Sequence, residues 1–410
     1  MILPRRLTEL LGDRLYLRLW LIGLLSMGSR WLELLVVGVF AVETTGSPVL
    51  VALLVILRML PLAAFGPIVG TFADRLAPRI LLYSSLGLAA LVSLAVLGLA
   101  LSGIAAYWHI ALATFLSGVV WTTDMPVRRR MIGDAAGAER IAAGMSLDSA
   151  TSNAMRLIGP LFGGLLYQWL GLGGAFGLAA ALYALCLMLT PGLPKAFAAS
   201  GVGQRSARML GDFREGFRFL AQEPEVRRIL YVTVIFNIWG FPFVAMIPVI
   251  GTENLGLNAA AIGGLAALEG GGAFAGALLI AALGVRPGAY RRLYFFGTAS
   301  YSALAFVASW MTETAPMAIV IFFVGLGAAG FSTMQTVLIY GMAPPEMRGR
   351  LLGILSLTIG AGVIGFTNIG LMGELFGGAN AVRIVAAEGL VAATLLGLTW
   401  PRLWRDGGGV

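Results

Sequence analysis

Apolar runs of about twenty residues, broken by short polar turns, recur along the whole chain. A helix crossing the hydrocarbon core of a bilayer needs about 20 mainly apolar residues. Read at that length, the sequence predicts twelve spans, at 15–42, 48–72, 79–101, 104–125, 145–171, 173–192, 228–251, 259–284, 291–311, 314–342, 350–374 and 379–400. The first run is too long for a cleaved signal peptide, and the chain passes directly into a second span. One long polar segment, 193–227, interrupts the series. The expected organisation is an N-terminal six-helix bundle over 1–192, a cytoplasmic linker over 193–227 and a C-terminal six-helix bundle over 228–410. Within the linker, Phe213, Phe217 and Leu220 recur at helical spacing, which predicts an amphipathic helix lying on the membrane surface.

Composition and charge sharpen this all-α integral-membrane reading. Of the 410 residues, 59% are apolar and 12% charged, where a soluble domain carries about 25% charged residues. The net charge of +8 is distributed as a topology signal. With the N-terminus inside, 24 of the 28 Lys and Arg residues fall in inner segments, and the remaining four, Arg30, Arg58, Arg156 and Arg383, lie within spans. That asymmetry predicts both termini on the cytoplasmic side. It makes anionic lipid headgroups, rather than nucleic acid, the partner of the basic excess. Cys186 and His109 are the only residues of their types, so an intrachain disulfide, a cysteine-based metal cluster and a histidine relay are all excluded. His109, beside Trp108, is expected in the outer loop between spans 3 and 4. No cofactor or metal is expected.

Two local motifs carry a family resemblance. After span 2 the chain reads Gly66-Pro-Ile-Val-Gly70-Thr-Phe-Ala-Asp74-Arg75-Leu-Ala-Pro-Arg79, and span 5 carries Arg156-Leu-Ile-Gly159-Pro160-Leu-Phe-Gly163-Gly164. The first resembles the G-x-x-x-D-R-x-x-R loop of the major facilitator superfamily, and the second the G-P-x-x-G-G motif of its antiporters. Thr45-Gly46-Ser47-Pro48, Glu215-Gly-Phe-Arg-Phe-Leu220 and Gly349-Arg350 extend the likeness to the bacterial exporter branch that holds the enterobactin exporter and drug–proton antiporters. The resemblance implies twelve helices in two bundles, a multi-pass protein of the bacterial inner membrane, and a functional monomer. Two departures stand out. Thr114 replaces the arginine that many members carry four residues before the span 4 glycine, here Gly118. The span 8–9 loop, Gly284 to Arg292, lacks the aspartate of a second signature copy.

Asp74 has a physical reading of its own. A carboxylate at an inner helix end can accept from the free N–H groups of a neighbouring helix start and complement its dipole. In the family fold that neighbour is span 11, so Asp74 would latch the halves when the inside is closed, with Arg75 pairing to Asp124. The alternative is that Asp74 and Arg75 serve only to fix topology; Gly70 and Arg79 of the same loop are placed with them at the cytoplasmic gate. Gly159, Pro160, Gly163 and Gly164 permit close helix approach and a kink, whether for packing alone or for gating.

Eight ionisable residues fall within spans: Arg30, Glu33, Arg58, Asp148, Arg156, Glu269, Arg383 and Glu388. Left unpaired at mid-bilayer, each costs about 2.5–3.5 kcal/mol, so pairing or hydration is required. Arg30 and Glu33, three apart, can pair within span 1. Arg383 and Glu388, five apart, fit poorly. Asp148 and Arg156 stand too far apart along span 5 for contact. Glu269 opens the run Glu269-Gly-Gly-Gly272, and in the family fold its span meets span 5 at a depth Arg156 can reach. Glu269 is therefore expected either as the main proton-carrying carboxylate with Arg156 as partner, or as half of a permanent salt bridge. Glu33 and Asp148 are secondary coupling candidates. Arg30 and Arg58 could meet an anionic substrate or act as counter-ions for Glu33, while Asn237, Trp239 and Gln335 could contact substrate.

The function this predicts is secondary active transport by alternating access: proton-coupled efflux of amphipathic or lipophilic small molecules of drug or siderophore type. An importer, a facilitator or a lysolipid flippase of the same fold is the alternative. A membrane enzyme would need a catalytic cluster at an aqueous interface, and the sequence offers neither that nor a nucleotide-cradling G-x-x-x-x-G-K-[ST] loop.

Overall fold

The computed structural model of the chain describes residues 5–73, 77–137, 140–194, 209–344 and 347–404. Among them the regular structure is helical: α1 (Arg5–Gly12), α2 (Arg14–Thr45), α3 (Pro48–Ala73), α4 (Pro78–Leu101), α5 (Tyr107–Ala136), α6 (Ile141–Leu189), α7 (Met209–Gln222), α8 (Pro224–Ile235), α9 (Phe243–Glu253), α10 (Ala259–Leu283), α11 (Tyr290–Ala308), α12 (Thr314–Met342), α13 (Arg348–Gly360), α14 (Gly362–Phe376), α15 (Gly378–Leu398) and α16 (Pro401–Trp404). Nine helical stretches of the described residues are long and apolar enough to cross a membrane. One of them, Ala143–Gly192, is 50 residues long, about 75 Å at 1.5 Å per residue, enough for two crossings.

Those two crossings, the predicted spans 5 and 6, divide at Gly171, whose φ of 63° and ψ of −164° break the helix. That conformation is open to glycine and strained for any residue with a Cβ. Span 7 is likewise composite: α8 passes through a π-helical turn over Phe236–Gly240 into α9. A single π-turn of this kind re-aims the side chains that follow it. Span 11 is divided at Ala361 between α13 and α14. The linker helix is present as α7, which packs on α13. There Gly216 faces Ile354, and Arg350 Nη1 lies 2.7 Å from Glu215 Oε2.

The chain divides into two compact units, 1–40 with 57–206, and 41–56 with 207–410. In the first, a core of Tyr16, Leu19, Ile22, Leu82, Leu86, Met131, Ile132, Tyr183 and Cys186 joins α2, α4, α5 and α6. In the second, α10 and α11 both cross α12 closely. Gly272 and Gly276 meet Phe322, Leu326 and Ala329, and Gly325 meets the backbone of Glu269. Small residues allow this approach, which substitutes for a hydrophobic driving force inside lipid. The hairpin contributed by 41–56 also belongs to this unit. A Cβ at Gly370 would meet Ala52 Cβ at 2.7 Å and one at Gly373 would meet Pro48 Cβ at 2.6 Å. Ser47 Oγ donates to Glu374 Oε2 at 2.6 Å beside them.

Candidate functional site

In the first unit Arg30 is tied both to Asp124 and, through its carbonyl, to Arg58, with Glu33 buried one turn along α2. Arg30 on α2 reaches across to α5, where its Nη2 lies 3.1 Å from Asp124 Oδ2, and its guanidinium sits 5.4 Å from the centre of the Trp121 ring. Arg58, 4% exposed, donates from Nη2 to the Arg30 carbonyl at 3.1 Å. Glu33, 3% exposed, accepts from Ser93 Oγ at 3.2 Å. Gly118 allows this clustering, because α5 presses there against the Arg58 carbonyl with no room for a side chain.

One stripe of α5 carries Thr114, Trp121 and Asp124, spaced seven and three residues apart on a shared face. Thr114 Oγ1, Trp121 Nε1 and Asp124 Oδ1 are buried and have no partner among the described residues. Unpaired buried polar atoms cost about 1–3 kcal/mol each, so a polar guest or water belongs beside them. Arg30, Arg58, Glu33, Trp121 and Asp124 thus gather two cations, two carboxylates and an aromatic ring among neighbouring helices of this unit.

A second ion cluster lies toward the α5–α6 turn. Asp148 is held between Arg128, whose Nη1 bonds Oδ1, and Arg129, whose Nε is 3.3 Å from Oδ2. Gly23 faces the Arg128 guanidinium and leaves it the space a side chain would take. The span 5 motif packs α6 on α2: a Cβ at Gly159 would meet Trp31 Cβ at 2.6 Å and one at Gly163 the Leu32 carbonyl at 2.9 Å. The same crossing sets Arg156 over the Trp31 ring, 5.5 Å from its centre.

Several expectations are revised. Arg30 and Glu33 do not pair directly, because the Arg30 guanidinium is committed to Asp124 across the bundle. Asp124 is held by Arg30 through Oδ2, and its expected pairing with Arg75 falls outside the described residues. Asp74 and Arg75 lie outside the described residues, and Gly70 lies in α3. Arg79 donates to the Leu193 carbonyl at 3.1 Å. His109 is not in a loop. It sits in the first turn of α5, where Nδ1 accepts from the Ala106 N–H, one of the donors a helix start leaves unpaired. The poor fit of Arg383 to Glu388 is matched by the geometry. Arg383 donates to Asn380 Oδ1 and the Ser309 carbonyl, and stacks over Trp310 at 3.6 Å.

In the second unit Glu269 is buried, 3% exposed, on α10. Asn237, in the π-turn, donates from Nδ2 to the Thr233 carbonyl at 2.9 Å. Gln335 is placed beside Tyr294, with Nε2 unpartnered among the described residues. Around them Phe236 stacks on Phe331 at 3.7 Å and abuts Tyr301 at 5.0 Å. Trp239 Nε1 donates to Glu388 Oε2 at 2.9 Å. Sequence reasoning missed the roles of Trp121 and Ser93, which carry no charge and sit far from their partners along the chain.

Such a bundle of apolar helices with buried ion chains is the architecture of a polytopic membrane transporter rather than an enzyme. The Major Facilitator Superfamily model matches residues 19–367, and the chain belongs to that family. Over 126 residues, 30% of this chain and 30% of the relative, it is 31% identical to the lysophospholipid transporter LplT of Yersinia pestis. The aligned region therefore spans about a third of that relative's length. Solved structures share the fold. The nucleoside transporter NupG superposes with TM-score 0.70 at 14% identity, covering 94% of this chain and 98% of that one. A bacterial homologue of the lysosomal transporter Spinster gives 0.67 at 15% identity over 98% and 97%. The human organic anion transporter MFSD10 gives 0.65 at 16% over 96% and 100%.

Proposed function

We propose that this transporter exports amphipathic small molecules across the bacterial inner membrane in exchange for protons, by alternating access of two six-helix bundles (1–192 and 228–410) joined by the 193–227 linker. The observation that carries this reading is the grouping of Glu33, Arg58, Arg30 and Asp124, in which Arg30 holds Asp124 Oδ2 while Oδ1 has no partner among the described residues. A carboxylate that shares cations with a second carboxylate changes its partners when it takes up a proton, and that change biases a two-state element. Arg30 and Arg58 suit the anionic end of a substrate, with Trp121 against its apolar part. Glu269, with Arg156, remains the second coupling candidate, and Asp148 a further one. Gly70, Asp74, Arg75 and Arg79 are assigned to the cytoplasmic gate. Both termini are assigned to the cytoplasm and the working unit is a monomer surrounded by lipid.

The second reading, movement of a lysophospholipid, is favoured by the local similarity to LplT and by the same pairing of arginines with an aromatic ring. Proteoliposomes loaded with a pH-sensitive dye test both. Substrate-dependent proton flux, abolished by Glu33→Gln or by Glu269→Gln, is expected for an antiporter. Lysolipid movement without proton flux, equal in wild type and both variants, would replace the first reading with the second.

A further inference from the structure

Glu388 is the eleventh of the 21 residues of α15, so it stands at mid-membrane depth, and its side chain is exposed on the helix surface. Its neighbours on that face are apolar. Val391 and Leu395 are each 60% exposed, and α14 beside it presents Ile364, Leu371 and Leu375. A shallow groove along α15 is lined by Ile384, Ala387, Glu388, Val391, Ala392 and Leu395. From Ile384 to Leu395 it spans eleven helical rises, about 16 Å.

The carboxylate is positioned rather than loose. Trp239 Nε1, from the π-turn, and Asn368 Nδ2, from α14, both donate to Oε2, at 2.9 and 3.1 Å. Oε1 has no hydrogen-bond partner, and no cation pairs with Glu388 among the described residues. Arg383, the basic residue of its own helix, is committed to Asn380, Ser309 and Trp310. Gly389 packs against the Trp239 side chain and Ser302, which fixes the indole beside the carboxylate.

Two N–H donors converging on one oxygen make a cradle for an anion, yet an uncompensated charge at this depth is costly. A cation supplied by a guest removes the conflict, and an indole next to a carboxylate is suited to an alkylated ammonium. We propose that the Glu388 notch binds the ammonium group of a cationic amphiphile from within the membrane, its alkyl chain lying along the α15 groove. This site is separate from the Arg30–Asp124 grouping and does not depend on its role.

The test uses the full chain in lipid nanodiscs and two probes with the same tail, (11-bromoundecyl)trimethylammonium and 11-bromoundecanol, read by quenching of tryptophan fluorescence. The expected result is saturable quenching by the ammonium probe at a concentration at least tenfold below that needed for the alcohol. Trp239→Phe should remove the saturable component. Glu388→Gln, which keeps an acceptor for Trp239 and Asn368, should shift the ammonium curve by tenfold or more, whereas Glu313→Gln should leave it in place. Coincident curves for the two probes on wild type would overturn the proposal without reference to any variant. So would an ammonium curve unmoved by Glu388→Gln.

Discussion

Asp124 is the residue on which the N-terminal unit's charge arrangement turns. One of its oxygens is held by Arg30 and the other, buried, has no partner among the described residues. Removing one member of a buried pair leaves the other charge uncompensated, at a cost of about 3–5 kcal/mol. Asp124→Ala is therefore expected to lower the thermal midpoint of the purified protein by several degrees, and Asp124→Ala with Arg30→Met to recover most of the loss. A double variant no more stable than the single one would show that the cost does not come from a stranded Arg30 charge. Gly23 supports a second prediction at this scale. A valine there takes the space of the Arg128 guanidinium and breaks its bond to Asp148. The expected outcome in detergent is a destabilisation comparable to that of Asp148→Asn, and the two changes together should not add, since both act on the same ion cluster.

Helix crossings show what glycine contributes to each element. At Gly159 and Gly163 the backbone of α2 lies where a side chain of α6 would stand, so Gly159→Leu must push the helices apart and lift Arg156 from Trp31. Loss of folded protein at ordinary expression temperature is the expected result, while Gly173→Ala, with its nearest atom 3.6 Å away, should be tolerated. These crossings also explain how far the sequence could be read. Long apolar runs and inner-side arginines revealed the spans, because the bilayer imposes length and charge asymmetry on every such chain. The motif Gly159-Pro160-x-x-Gly163-Gly164 was visible as small residues at helical spacing. Arg30 looked like the partner of Glu33 because spacing within one helix is all that a sequence displays. The competing partner, Asp124, lies 94 residues away. The interruptions at Ala361 and in the π-turn do carry local signs, Gly360 and Gly362 around the first and Gly240 and Pro242 at the second. Such residues only permit an irregular turn, and packing against neighbouring helices selects which one forms.

For the whole molecule, alternating access requires each end of the protein to open and close. Within the second unit the 41–56 hairpin meets α14 through Gly370 on Ala52, Gly373 on Pro48 and the Ser47–Glu374 bond, and under the mechanism proposed above this contact is a candidate closure. Gly370→Leu should wedge this end apart. The expected signature is faster labelling of a cysteine placed at Val49, in a Cys186→Ser background, by a membrane-impermeant thiol reagent. Unchanged labelling would exclude the contact as a gate.

The break at Gly171 bears on how motion is shared among the helices. Spans 3 and 4 are joined by residues 102–106, a short rope between the end of one helix and the start of the next. Between the two halves of α6 there is no rope: one glycine in a conformation other residues resist ties them end to end. Any tilt of the first half must be taken up by the second at once, as in a bent lever pivoting on its elbow. Inserting a few flexible residues after Gly171 would leave both helices and their packing intact while cutting that transmission.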